Sequence, residues 1–129
     1  MLICRPEDRE SQVMTMSGAR GVTMRLMLGR EHGAPNFSMR QFEVAPGGHT
    51  PLHQHNYEHE VLVLGGRGKL VLSEDGKQTR EIGEGDTILV PANELHQFQN
   101  AGAGVLKFVC LVPTQFDCGG GQCEATPGS

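Results

Sequence analysis

The sequence contains no tryptophan, a single tyrosine and only five phenylalanines. A core with so few rings has to be filled mainly by aliphatic side chains and methionine, which suits short strands packed face to face. Long hydrophobic runs are missing as well. No stretch approaches the roughly 20 apolar residues that a membrane helix needs. The opening MLICRPEDRESQVM is broken by Arg5, Pro6, Glu7 and Asp8, so it lacks the hydrophobic centre of a signal peptide. A cytoplasmic protein is the expectation. Charge of one sign is nowhere concentrated: 11 basic against 15 acidic residues give a formal charge of −4. No Lys/Arg run marks a nucleic-acid or membrane footprint, so small molecules are the expected partners.

Cysteine is also scarce. Cys4, Cys110, Cys118 and Cys123 are unevenly placed and do not resemble the framework of a secreted disulfide scaffold, so reduced thiols are expected. Cys118 and Cys123 stand at C-x4-C, which differs from the common C-x2-C zinc knuckle; a small disulfide loop or a soft-metal site is the alternative there.

Glycine and proline are plentiful, at 18 and 7 in 129 residues, and they cut the chain into short apolar or alternating runs. Helix periodicity is nowhere sustained, and the pattern predicts an all-β single domain. Strands are expected over 22–28, 37–44, 60–64, 69–73, 79–82, 87–90, 96–99 and 105–112. Asp75-Gly76 marks a hairpin between two antiparallel neighbours, and Pro91 ends the run before it because it cannot donate to a ladder. Pro46-Gly47-Gly48 and Gly65-Gly66 read as further turns. The organisation is thus an N-terminal arm over 1–19, a barrel over 20–113 and a Gly- and Cys-containing tail over 114–129. Residues 61–64 and 105–112 are apolar at both parities apart from Lys107, leaving an outer apolar face that a second copy of the chain would cover. A homodimer is expected.

Four of the six histidines, His53, His55, His59 and His96, need a common explanation. On an extended segment His53 and His55 project to the same side, and His59 returns to that side after a short bend. A lone histidine on a strand is ordinarily a satisfied polar residue. Three within seven residues, flanked by glycine turns, point instead to a metal site, because neutral imidazole suits zinc, copper, iron, nickel and manganese.

These residues also carry a resemblance. Gly47, His53, His55 and Gly66 stand at the spacings of the first motif of the cupin superfamily, and Gly85, Pro91, His96 and Asn100 at those of the second. Asn93 replaces the inner glycine of the second motif, and asparagine tolerates a left-handed turn. The glutamate of the first motif is replaced at the shorter of its two allowed spacings by His59. Glu60 fits the longer spacing but would point to the opposite side of a strand. The pieces APNFSMRQF, YEHEVLVL and VPANELHQFQN resemble small manganese-binding bacterial cupins that use four histidines. The resemblance implies a double-stranded β-helix (cupin or jelly-roll barrel), pairing as dimers, and one divalent transition metal per chain on His53, His55, His59 and His96. Manganese is favoured, with iron, nickel, copper or zinc as alternatives. It also implies dioxygenase-like activity on a small organic molecule; a non-catalytic binding protein or a metal-dependent isomerase is the alternative.

Strand parity adds candidate pocket residues. Arg40 shares a face with Phe42 and Val44, whose inward direction it must follow. Lys107 must face water, which turns Phe108 and Cys110 inward, and Phe98 alternates with His96. Cys110 reads as a small core hydrophobe, and a rim pair of Arg40 with Glu58 is the alternative to an anionic ligand.

Overall fold

The computed structural model describes residues 1–117. Cys118 and Cys123, and the questions attached to them, lie outside the described residues. Among the described residues nine strands form in chain order: β1 (Gln12–Val13), β2 (Arg20–Leu28), β3 (Phe37–His49), β4 (His59–Gly65), β5 (Arg67–Val71), β6 (Thr79–Gly83), β7 (Thr87–Val90), β8 (Gln97–Asn100) and β9 (Leu106–Pro113). Only single 3-10 turns interrupt them, at Pro6–Asp8, Arg30–His32 and Thr114–Phe116. No helix among the described residues is long and apolar enough to cross a membrane.

The architecture is the all-β jelly roll that the sequence predicts. Hydrogen bonding runs in the order β6-β5-β8-β3-β9-β4-β7, with β2 on the other edge of β3 and β1 on β2. The long strand β3 joins the two halves, pairing with β9 from Phe37 to Val44 and with β8 at His49. Between these two contacts the chain bends without ending. Arg20 pairs with His49 but Val22 pairs with Val44, so residues 45–48 bulge out opposite Gly21. The Pro46-Gly47-Gly48 turn expected from sequence is therefore a bulge inside one strand. Asp75-Gly76 does join antiparallel neighbours, β5 and β6, but their pairing stops at Val71 opposite Thr79. The reversal is wider than a two-residue hairpin because Ser73 and Lys77 fold over the Asp75 carboxylate, Ser73 Oγ at 2.7 Å and Lys77 N at 3.0 Å.

Alternation along the strands fills the barrel as expected for period-2 burial. In β9, Leu106, Phe108, Cys110 and Val112 are buried while Lys107, Val109 and Leu111 are half-exposed. In β4, His59, Val61 and Val63 are buried, whereas Glu60, Leu62 and Leu64 face outward. The core is chiefly aliphatic, with Val22, Met24, Val44, Val63 and Leu106 almost wholly enclosed.

The outward face of β4 and β7 is largely apolar, with Glu60 and Thr87 set among its leucines. Leu62 and Leu89 are 40% and 61% exposed, and with Met39, Ile88, Val109 and Leu111 they line a groove of about 540 Å³ on the outside of the sheet.

The chain segments at either end of the barrel pack against it. Arg25 Nη1 donates to the carbonyls of Pro6 and Arg9, fastening residues 6–9 alongside β2. Beyond β9, Asp117 is fully buried. Its carboxylate accepts hydrogen bonds from Arg30 N at 2.9 Å and Ser38 Oγ at 3.0 Å and pairs with the Arg30 guanidinium at 3.5 Å.

Candidate metal centre

Two segments distant in sequence meet at the centre. His53 and His96 form a two-residue antiparallel bridge, with His53 N donating to His96 O at 3.1 Å and His96 N to His53 O at 2.9 Å. Local chemistry fixes the approach of the second segment. Asn93 has φ 68°, the only non-glycine residue with positive φ among the described residues, so it takes the left-handed turn that the motif's glycine would supply. Asn100 then donates to Val44 O and Gly104 O and accepts from Gly102 N, holding the 101–104 reversal against β3.

The side chains converge as well. Nitrogens of His53, His55 and His96 all lie within 4.8 Å of one another. His53 Nε2 and His55 Nε2 are 3.0 Å apart. Two nitrogens that each sit about 2.1 Å from one ion, at a right angle, are separated by about 3.0 Å, so the pair is spaced as two neighbouring ligands would be. His59 adjoins this group, its ring centroid 4.7 Å from that of His55 and 5.4 Å from that of His96, but its nitrogens are outside the 4.8 Å group. Glu60 is on the opposite, exposed face of β4.

Burial sets the protonation of these rings. It holds His59 down to about 2 from the ordinary 6.5, helped by the Arg40 charge and the neighbouring imidazoles. Burial likewise lowers His53 to about 3, with His55, His96 and Arg40 adding to the effect. His96 is lowered by burial against the opposing pull of Glu94. All three imidazoles are neutral near pH 7, the form that ligates metal.

The ring nitrogens fit a metal on a second count. His96 Nδ1 donates to Glu94 O at 2.9 Å, which leaves Nε2 as the lone-pair nitrogen, the arrangement typical of a ligating histidine. His59 Nε2 is buried and makes no hydrogen bond among the described residues. A buried polar atom without a partner costs about 1–3 kcal/mol, and a coordinate bond to a cation is one way to satisfy such a nitrogen lone pair.

The four pocket residues expected from parity are all buried. Arg40, Phe98, Phe108 and Cys110 face the interior. Phe98 stacks on Phe108 at 4.7 Å and Phe108 on Phe42 at 5.3 Å, forming an apolar wall that continues to His96, 6.2 Å from Phe98. The Arg40 guanidinium lies over the Phe42 ring at 5.1 Å, and Nη2 donates to Cys110 Sγ at 3.6 Å. Sequence reasoning missed Tyr57. This sole tyrosine is sandwiched, its ring 4.9 Å from His55, 5.1 Å from His59 and 3.9 Å from Phe116, nearly parallel to each. Its place between His55 and His59 in the motif was the available signal; the covering Phe116 carried none.

Residues 40–112 match the family described as "Cupin domain". The chain is a cupin. Among solved structures this cupin is similar to the polyketide cyclase RemF from Streptomyces resistomycificus, with a TM-score of 0.82 and 34% identity over 88% of this chain and 80% of that one. A cupin-2 domain from Rhodospirillum rubrum superposes with a TM-score of 0.68 and 30% identity, covering 88% of this chain and 74% of that one. Among curated proteins, 1-methylthio-D-xylulose 5-phosphate methylsulfurylase of Rhodospirillum rubrum is 34% identical over 79 residues, which is 61% of this cupin and 49% of that enzyme. The cupin spans about half the length of the curated relatives it matches.

Proposed function

We propose that this cupin is a metalloenzyme acting on a small organic molecule that carries an enolisable carbonyl. The convergence of His53, His55 and His96 ring nitrogens at ligand spacing carries the reading. In it His53, His55 and His96 hold one divalent ion and His59 is the fourth ligand, with manganese the first candidate metal and iron, nickel, copper and zinc compatible with the same donors. The bound ion supplies Lewis acidity or, when redox-active, electrons for dioxygen chemistry.

The rest of the work falls to the chain. Four imidazoles add no negative charge to the cation, and Arg40 places a further positive charge beside it, so the cavity favours an anionic oxygen on its ligand. Phe98 and Phe108 supply a dry wall against which the ligand's carbon frame can rest, and Cys110 lies between Arg40 and His59. Ring closure of a polyketone is the first reaction to test, because the polyketide cyclase relative is similar over most of both chains. Oxygenation of a comparable substrate is the second, favoured by a histidine donor set that suits redox metals.

Metal content and turnover test this together. Plasma mass spectrometry on the untagged chain is expected to find close to one transition metal per chain, retained in Glu60→Ala and lost in His53→Ala and His59→Ala. Loss in Glu60→Ala with retention in His59→Ala would sink the four-histidine assignment. With a β-diketone or a short poly-β-ketone as probe, metal-dependent conversion that persists without oxygen supports cyclisation chemistry. Oxygen uptake in step with conversion supports the oxygenase, and no conversion by any metal form leaves a binding protein.

A homodimer through the outer face of β4 and β7 belongs to the same reading. Exposed Leu62 and Leu89 beside an apolar groove make a contiguous patch of the kind that marks an interface. Sedimentation is expected to give twice the 14.0 kDa chain mass, and Leu89→Arg is expected to return the protein to a monomer. A monomeric wild type would refute it.

A further inference from the structure

Cys110 occupies a position that its role as core filler does not exhaust. Cross-strand pairing puts it opposite Arg40 on one side and Val61 on the other, two residues along β4 from His59. The sulfur thereby meets two nitrogens, His59 Nδ1 at 3.1 Å and the donor Arg40 Nη2 at 3.6 Å. We infer that Cys110 is a positioning residue for His59: its sulfur accepts the Nδ1–H hydrogen bond and so keeps Nε2 as the lone-pair nitrogen. The inference rests on the metal-site reading above for its purpose, though its geometry stands apart from it.

A neutral imidazole carries one N–H and one lone pair, so the contact has only two forms. If the Cys110 thiol donated to Nδ1, the proton of His59 would sit on Nε2, a buried atom with no hydrogen-bond partner among the described residues. A buried N–H would be stranded, and the lone pair would face sulfur. If instead Nδ1–H donates, the sulfur takes a second hydrogen bond in addition to that of Arg40, and its own S–H has the carbonyl of Leu111 at 4.0 Å as an outlet. The second form leaves only a lone pair unserved, which is the cheaper omission and the one a cation fills.

His96 provides the internal comparison. Its Nδ1–H is taken by the main-chain carbonyl of Glu94, the kind of outer partner that fixes a ligating histidine's tautomer. His59 opens β4, paired with Val90 of β7, and there a side chain on the adjacent strand β9, in place of a main-chain carbonyl, meets its Nδ1. A thiol does this without bringing in the negative charge of a carboxylate.

The test reads the tautomer directly. In long-range proton–nitrogen correlation spectra of the ¹⁵N-labelled, metal-free full chain, His59 is expected as the Nδ1–H form. Cys110→Ala is expected to move it to the Nε2–H form that an unheld neutral imidazole prefers, and Cys110→Ser, which keeps an acceptor, to restore Nδ1–H. In competition titrations with zinc, Cys110→Ala is expected to weaken binding by about 10- to 100-fold, with Cys110→Ser recovering most of the loss. An Nε2–H tautomer in the wild type, or an Nδ1–H tautomer that survives Cys110→Ala, overturns the inference. Because the wild-type spectrum alone decides the first of these, a variant that fails to fold does not block the test. If His59→Ala leaves zinc affinity untouched while Cys110→Ala still shifts the tautomer, the positioning role stands and the four-histidine ligand set falls.

Discussion

Stripped of metal, the protein is expected to lose stability steeply as the pH falls below about 6.5. In the folded chain burial holds His59 near 2 and His53 near 3, and it lowers His96 as well, while in the unfolded chain each returns to its ordinary 6.5. Below 6.5 the unfolded state therefore binds more protons, and stability falls with falling pH until the folded-state values are reached. A fully buried histidine contributes at most about 1.4 kcal/mol per pH unit. His59 alone accounts for about 2 kcal/mol between about pH 6.5 and about pH 5. His53 is partly exposed and adds a smaller, solvent-screened share, and His96 acts in the same direction. Urea midpoints of chelator-treated protein at about pH 7 and about pH 5 measure this, with metal-saturated protein holding the higher midpoint at neutral pH. Equal midpoints at the two pH values would show that these rings are not kept neutral by the fold.

The second large effect is expected from Gly66→Ala. Gly66 has φ +88°, and a Cβ there would fall against Val105 O and 2.8 Å from Leu106 Cα, both of them backbone. The left-handed conformation alone costs an alanine about 1–2 kcal/mol, and the clash requires β9 to move away from the turn between β4 and β5. A total loss of about 3–5 kcal/mol follows, a large share of the roughly 5–15 kcal/mol that keeps an ordinary domain folded. Gly85→Ala is the control, since Gly85 shares the positive φ at +90° but has nothing within 4 Å of the added atom, so it is expected to lose only about 1–2 kcal/mol. Equal losses from the two variants in chemical denaturation would mean that backbone conformation, and not the close approach of β9, decides Gly66.

The same two glycines show why so much of this fold is legible in sequence. A motif glycine, like Asn93, reports a backbone conformation directly, and strand alternation reports which side chains share a face. That is how His59 is told apart from Glu60, and how Arg40, Phe98, Phe108 and Cys110 are assigned inward, from the order of residues alone. Features that depend on how distant segments meet are not legible in this way. The two-residue strand β1 exists because the edge of β2 is available to it, and its own sequence has no pattern long enough to show. Residues 45–48 read as a turn because proline and glycine there are turn formers; the pairing on both sides carries one strand through them in a single direction and makes them a bulge. Asp117 falls within the 114–129 tail expected from sequence, yet Ser38 and the backbone of Arg30 enclose its carboxylate. The Phe116 ring on Tyr57 follows from that anchorage, which no local pattern encodes.

The main-chain bridge between His53 and His96 has a last consequence, for assembly of the site. Bringing two distant stretches of chain together carries an entropic cost that grows with the length of the intervening loop. Here two backbone hydrogen bonds between His53 and His96 close that loop through the main chain. An ion joining the two imidazoles thus does not have to close that loop alone. In a zinc finger the metal itself gathers an otherwise unfolded chain; here main-chain pairing shares that task, because the bridge ties the two segments through backbone hydrogen bonds as well as through the imidazoles.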